Sequence, residues 1–116
     1  MIDRLKKTVD DFSDLIATIE DIEFFEKEAI SKLKAKLRLF DGSILWIREI
    51  WRHDMLEVYS YYWLRPDETV IMGWDNAPHH PKIETFPHHK HIKETVAPSS
   101  QTDLRAVLFY IGGFLE

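Results

Sequence analysis

Apolar side chains recur with a helical period in the N-terminal part of the chain. Between Ile2 and about Glu20 they stand three and four positions apart, with acidic residues and lysines between them: Ile2, Leu5, Val9, Phe12, Leu15, Ile16 and Ile19. This spacing lines up one apolar stripe and predicts an amphipathic α-helix over the segment. The acidic segment 21–29 shows no clear period, and it fits a bend, a short helix or the start of a strand equally well.

The period changes to two in segment 31–39. Apolar residues alternate there with cations, and only a strand places all of these cations on one face: Lys32, Lys34, Lys36 and Arg38. Asp41 and Gly42 then predict a hairpin turn, because glycine accepts a positive φ without steric cost. Segment 43–52 is predicted as the second strand of this hairpin.

Two further strands, a long loop and a second helix are predicted in the rest of the chain. Segments 56–64 and 69–74 have the aromatic and β-branched content of strands. Residues 75 to about 99 contain four of the five prolines and no obvious period, which predicts a long loop of the kind that often carries function. Residues 100–103 resemble a capping box, and a helix ending near Gly112 is predicted from apolar residues at helical spacing: Leu104, Val107, Leu108 and Ile111.

This order of elements predicts an α+β fold in a single domain, residues 1–116. An N-terminal helix, a four-stranded antiparallel meander, a long loop rich in histidine and proline, and a C-terminal helix follow one another, and both helices are expected on one face of the sheet. The length of 116 residues fits one core rather than two. Large rings on both sides of the second and third strands favour a homodimer or a protein partner on the other face, or rings that pack under the long loop.

Composition excludes several classes of function. The formal net charge of -5 argues against a protein that coats nucleic acid through bulk electrostatics, although it leaves room for a local basic pocket. The absence of cysteine excludes disulfides, thiolate catalysis and cysteine zinc sites, so any metal would need histidine and carboxylate ligands. No apolar run approaches the roughly 20 residues of a membrane-spanning helix, and the N-terminus has no signal pattern. We therefore expect a cytoplasmic protein without a membrane partner.

Five of the six histidines lie within thirteen residues: His79, His80, His88, His89 and His91. Histidine is the side chain that most readily exchanges a proton at neutral pH, so this cluster can serve acid–base chemistry, bind a metal or sense pH. With Asp75 it offers six potential ligands for an ion such as zinc or nickel. The spacing selects no particular site, however, because neither the HExxH pattern nor another helix-borne pair is present.

General acid–base cleavage of RNA is the second possibility. One imidazole would deprotonate a 2′-hydroxyl and another would protonate the departing 5′-oxygen, without any metal. Lys90 stands between two histidines and is expected to offset charge on the phosphate. A purely structural role for this segment is a third alternative. The prolines suit a rigid connector, Asp75 could form a turn or orient a histidine, and Trp74 is expected in the core.

The two blocks around the histidines, residues 74–81 and 85–91, resemble the signature of the TumE-like toxin family of prokaryotic toxin–antitoxin modules. The resemblance also covers the hairpin at 41–43 and the strand at 59–62, and so extends from about residue 31 onward. It implies a small toxin that a cognate antitoxin protein neutralises. Carried over residue by residue, the motif nominates a catalytic set: Asp75, His79, His80, His88, His89, Lys90 and His91.

The leading functional hypothesis is therefore a toxin that acts as a metal-independent endoribonuclease through its histidine-rich loop. In this hypothesis two loop histidines serve as base and acid, Lys90 binds the phosphate, RNA is the substrate and no cofactor is needed. The alternative is a non-catalytic module that binds a metal, zinc or nickel, or a protein partner.

Overall fold

The computed structural model describes residues 2–115. This part of the chain contains seven antiparallel strands and two helices. In chain order they are α1 Ile2–Asp11, β1 Ile16–Lys27, β2 Ile30–Leu39, β3 Ile44–Arg52, β4 Met55–Leu64, β5 Val70–Asp75, β6 His89–Ile92, β7 Thr95–Pro98 and α2 Leu104–Leu115. The strands form one sheet in which each pairs with its neighbour along the chain. The predicted four-stranded meander is therefore wrong, because the sheet has an additional strand before it and two after it.

The additional first strand replaces the second half of the predicted N-terminal helix. The helix ends at Asp11, and β1 pairs with β2 with two register shifts, between Ile16 and Thr18 and between Ile19 and Asp21. At each shift β1 advances by two residues while β2 advances by one, as in a β-bulge. Apolar residues three positions apart consequently reach the same face. Two bulges thus reproduce the spacing of a helix, which is why the sequence pattern was misleading here.

The last two strands lie inside the segment that was predicted as a loop. β6 and β7 have four residues each, and β6 pairs with β5 so that Asp75 stands opposite His89. A strand this short is too brief to display a period of two. The histidine block His89–Ile92 is therefore part of the sheet rather than part of a loop.

One face of the sheet is buried beneath both helices. Leu5 of α1 packs into the same apolar cluster as the buried side of α2: Leu104, Val107, Leu108 and Ile111. Arg105 of α2 joins the helices, because its guanidinium lies 2.5 Å from Asp11. No helix within residues 2–115 is long and apolar enough to cross a membrane.

Within residues 2–115, no helix packs on the other face of the sheet. The burial pattern of β2 confirms the predicted alternation, with leucines and Ala35 buried and the cations Lys32, Lys34, Lys36 and Arg38 turned to this face. The hairpin after β2 is also confirmed, with Gly42 at φ 90° and the backbone N–H of Ser43 donating to Asp41 Oδ1. We call this side of β2 to β6 the open face.

A glutamate is buried on the helix side of the sheet. Glu49 of β3 accepts hydrogen bonds from the Tyr61 hydroxyl, at 2.5 Å, and from Trp51 Nε1, at 3.1 Å. Burial raises the pKa of the Glu49 carboxyl, and these two hydrogen bonds oppose that effect only in part. The folded protein therefore retains the proton of Glu49 over a pH range in which the unfolded chain has lost it.

Replacement of Glu49 by glutamine should change how stability depends on pH. The free energy of unfolding of the parent protein falls as pH rises from about 4.5, the ordinary pKa of the group, through its raised folded value. A glutamine side chain cannot ionise, so Glu49→Gln should gain stability relative to the parent, by about 1.4 kcal/mol for each pH unit of that window. Urea denaturation across the range measures the difference. The exposed Glu23 supplies the control Glu23→Gln, and a difference for Glu49→Gln that does not vary with pH would contradict the assignment.

Candidate functional site

The register of β5 and β6 brings a carboxylate and two histidines together on the open face. Asp75 stands opposite His89, and Gly73 stands opposite His91. Residues directly opposite each other in an antiparallel pair project to the same side of the sheet. Asp75, His89 and His91 therefore share one face, while the alternation sends Lys90 to the other.

The Asp75 carboxylate bridges the two imidazoles with one oxygen for each. His89 Nε2 lies 2.8 Å from Oδ1, and His91 Nε2 lies 3.0 Å from Oδ2. The two rings are almost perpendicular, with centroids 4.8 Å apart. The backbone N–H of Ala77 also donates to Oδ1 at 3.0 Å. Three donors thus fix the orientation of the carboxylate.

His89 is the buried member of this group, with only 2% of its side chain exposed. Its Nδ1 lies 3.0 Å from the carbonyl oxygen of Pro87, an atom that can only accept a hydrogen bond. Both ring nitrogens of His89 therefore face acceptor oxygens. Because both nitrogens are engaged, His89 is suited to holding Asp75 in place rather than to exchanging protons with a substrate.

His91 is the accessible member, with 28% of its side chain exposed. Its Nε2 donates to Asp75, and within the part of the chain that the structure describes its Nδ1 has no hydrogen-bond partner. A carboxylate on one nitrogen fixes the tautomer and leaves the other nitrogen to accept a proton, which is the arrangement of a general base. The ring of Tyr62 lies nearly parallel to His91, with centroids 6.4 Å apart.

These side chains line an open pocket of about 340 Å³. Its wall includes Arg48 of β3 and Ser60 of β4, together with Asp75 and four of the histidines, which are His79, His80, His89 and His91. The His80 ring meets His89 edge-on at 4.9 Å and His91 at 6.3 Å, and His79 is exposed at the rim. An acid, a base and a cation are consequently available within one pocket.

The segment between β5 and β6 is tied to the sheet by side chains. Asn76 accepts a hydrogen bond from the backbone N–H of Tyr59 and donates one to the carbonyl of Glu57, so it continues the pairing of β4 beyond the end of β5. Farther along, the Thr85 hydroxyl donates to the carbonyl of His88 and accepts from the backbone N–H of Ser99. These contacts hold His79 and His80 over the open face.

Two residues of the predicted set are directed elsewhere. His88 Nδ1 lies 2.9 Å from the hydroxyl of Tyr59, a member of the buried core. Burial raises the pKa of this phenol, so Tyr59 keeps its proton and donates to His88. The Lys90 ammonium lies 5.2 Å above the ring of Tyr110 in α2, on the helix side of the sheet. The structure therefore brings together Asp75 and four histidines but separates His88 and Lys90 from them.

Arg48 and Ser60 are among the pocket residues that escaped the sequence reasoning, and Tyr62 beside His91 escaped it as well. Arg48 pairs with Lys34 of β2, and Ser60 pairs with both Arg48 and Asp75. The alternation of β3 already places Arg48 on the face of the β2 cations, which was the available signal. Arg48 precedes Asp75 by 27 positions in the sequence, so the sequence alone did not indicate that the two residues line one pocket.

The same side chains also form a donor set for a metal ion. Asp75, His89 and His91 each offer one ligand atom, and these atoms lie within 4.8 Å of one another. Imidazole and carboxylate donors suit zinc and nickel, which bind such atoms at about 2.0–2.2 Å. A bound ion would act there as a Lewis acid or lower the pKa of a coordinated water.

Fold and site together define a small α+β protein with a carboxylate-bridged histidine pair at a pocket on the open face of its sheet. The chain belongs to the TumE toxin family, since the family model described as Toxin TumE matches residues 5–114. This match confirms the resemblance seen in the sequence and identifies the chain as the toxin component of a toxin–antitoxin module. No curated protein and no solved structure matches it at a significant level.

The packing of Tyr62 beside His91 depends on Gly73, which lies between them in the sheet. A Cβ atom at position 73 would overlap the Tyr62 ring. We expect Gly73→Ala to cost about 1–3 kcal/mol of stability, as overpacking does. The loss should be largely absent in a Tyr62→Ala background, where the ring is missing. Urea denaturation of the parent, both single variants and the double variant measures this coupling, and purely additive losses would contradict it.

Proposed function

We propose that this toxin is a metal-independent endoribonuclease whose chemistry is carried out by the histidine pocket. The observation that carries the proposal is the contact of His91 with Asp75, which leaves His91 Nδ1 as an accepting nitrogen at the pocket. The mechanism needs no metal, because side chains supply the base, the acid and the cation. RNA is the substrate class because its 2′-hydroxyl provides an internal nucleophile.

His91 is the base in this mechanism. Its Nδ1 removes the proton of the 2′-hydroxyl, and the 2′-oxygen forms a bond to phosphorus while the bond from phosphorus to the 5′-oxygen breaks. Asp75 stabilises the imidazolium that His91 becomes, as the carboxylate of a catalytic triad does. The products are a 2′,3′-cyclic phosphate and a free 5′-hydroxyl.

His80 is the acid, and Arg48 is the cation. A protonated His80 gives its proton to the leaving 5′-oxygen, and its ring stands next to both His89 and His91. Arg48 offsets the charge that develops on the phosphate, a role that the sequence suggested for Lys90. His79 contacts the phosphate at the rim, and His88 and Lys90 anchor β6 against the helix side of the sheet.

A separate antitoxin protein is proposed as the partner that neutralises this activity. The support is membership of a toxin family.

A second candidate function is metal binding by Asp75, His89 and His91. It is favoured by the compact donor set that these residues form. The metal-bound form would be either a metal-dependent enzyme or a binding module, and the cleavage experiment separates these from the leading proposal.

Cleavage of an end-labelled single-stranded RNA tests the leading proposal. The purified protein should cut it in the presence of EDTA and leave a 2′,3′-cyclic phosphate. His91→Ala and His80→Ala should each reduce the rate by about 10²–10⁴-fold, the usual contribution of a general acid or base. The control is His53→Asn, which changes the histidine outside the cluster; this position has φ 53°, a conformation that asparagine tolerates.

Other results of the cleavage experiment would support other functions. Unchanged cleavage in single alanine variants of all five clustered histidines would overturn the acid–base mechanism. Activity that EDTA removes and zinc restores would favour the metal enzyme. Absence of cleavage together with retained zinc or nickel would favour the binding module.

Asp75→Asn tests the bridging carboxylate itself. Asparagine has the same shape but offers one acceptor oxygen where the carboxylate offers two, so either His91 loses its fixed tautomer or His89 loses the oxygen that it contacts. We expect cleavage to fall by at least about 10²-fold and stability to fall by about 1–3 kcal/mol. Cleavage and thermal unfolding are measured on the same preparation. Parent-like cleavage by Asp75→Asn would show that the carboxylate does not serve the base.

A further inference from the structure

The open face carries two parallel rows of side chains that lead to the histidine pocket. The charged row crosses β2 to β6 at paired positions, which are Lys34, Arg48, Ser60, Asp75 and His89. The aromatic row crosses the same strands at the next positions on this face, which are Lys36, Trp46, Tyr62, Gly73 and His91. Members of a row lie on neighbouring strands, about 4.8 Å apart.

We propose that these two rows form a binding track for single-stranded RNA, in which Lys34 and Arg48 bind phosphates and Trp46 and Tyr62 stack on bases. The proposal rests on the endoribonuclease function proposed above and names the surface that delivers its substrate.

The track is continuous with the pocket. A second open pocket, of about 420 Å³, is lined by residues of both rows, which include Lys34, Trp46, Arg48, Ser60 and Tyr62. It shares Arg48 and Ser60 with the histidine pocket. A nucleic-acid strand lying in this second pocket therefore passes Arg48 before it reaches His91.

The aromatic row offers ring faces at the surface. Trp46 is 37% exposed, and the Lys36 ammonium lies 5.5 Å above its ring. Tyr62 is half-buried and lies over Gly73, which leaves room for the ring to reach His91. Stacking of a base on such a ring contributes about 1–3 kcal/mol and tolerates any sequence, because every base has a flat face.

The charged row offers cations for the backbone of the nucleic acid. Lys34 and Arg48 form no ion pair with any residue between positions 2 and 115, whereas Lys36 and Arg38 are engaged by Glu20. Free cations beside exposed rings suit a single strand, whose phosphates and unstacked bases are both accessible. A duplex would hide its base faces from Trp46 and Tyr62.

Binding of a 2′-O-methyl RNA oligonucleotide tests the track without any cleavage, because the nucleophilic hydroxyl is blocked. Trp46→Ala should raise the Kd about 5- to 150-fold, which corresponds to the loss of one stacked base, and Trp46→Phe should recover most of the affinity. Lys34→Ala should weaken binding and should reduce the slope of log affinity against log salt by about 0.7. Fluorescence anisotropy measures both effects.

The matched controls lie on α2 and α1. Phe109→Ala removes a ring that is 79% exposed on α2, and Lys7→Ala removes an exposed cation of α1. Both should bind the oligonucleotide as the parent does. Parent-like binding by Trp46→Ala and Lys34→Ala, equal losses in the control variants, or a preference for duplex RNA would each overturn the track.

The proposed RNA-binding track and the proposed RNA cleavage can be contradicted independently of each other. Binding that depends on Trp46 and Lys34, without cleavage of unmodified RNA, would support the track and remove the proposed catalysis. Cleavage of RNA with a Kd that is insensitive to Trp46 and Lys34 would support the catalysis and remove the track.

Discussion

The site depends on the contact of Asp75 with His89 and on the hydrogen bonds that it accepts from His91 and Ala77. Only 14% of the Asp75 side chain is exposed, and a carboxylate in such a place is stable only when donors replace the water that it has lost. Two of the three donors come from β6. The strand is thus held at the edge of β5 by side chains as well as by its backbone, and the pairing fixes which residues face the pocket.

Two histidines that contact the same carboxylate differ in burial. His89 is buried and both of its nitrogens lie close to acceptor oxygens, so its loss would leave Asp75 Oδ1 with the backbone N–H of Ala77 alone. His91 shares the same carboxylate but remains accessible. The same division applies across the sheet, because alternation sends His89 and His91 to the open face and Lys90 to the helices. A strand of four residues therefore supplies a buried imidazole, an accessible imidazole and a lysine directed to the helix side.

The sequence predicted the middle of the sheet and singled out five of the ten residues that line the histidine pocket, but it did not predict the edges of the sheet. Segment 31–39 alternates clearly because one face is buried and the other is open. β1 breaks the alternation with two bulges, and β6 is too short to show it. Asp75 and the histidines were found because they are clustered in the chain. Arg48 was not, since only strand register, which depends on long-range pairing, brings it to Asp75.

The acidic net charge of the protein conceals a local excess of cations on β2 and β3, because charge is distributed unevenly along the chain. Segment 30–52 has six cations and two acidic residues, and one of these acids, Glu49, is buried on the helix side. Alternation then turns the cations of β2, and Arg48 of β3, to the open face. Salt screens exposed charges beyond about 8–10 Å, so a phosphate between β2 and β3 is influenced chiefly by the nearest charges, which are Lys34, Arg48 and the Glu23 that stands opposite Lys34. Net charge argues against wrapping of long nucleic acids, but it does not decide whether one short strand binds here.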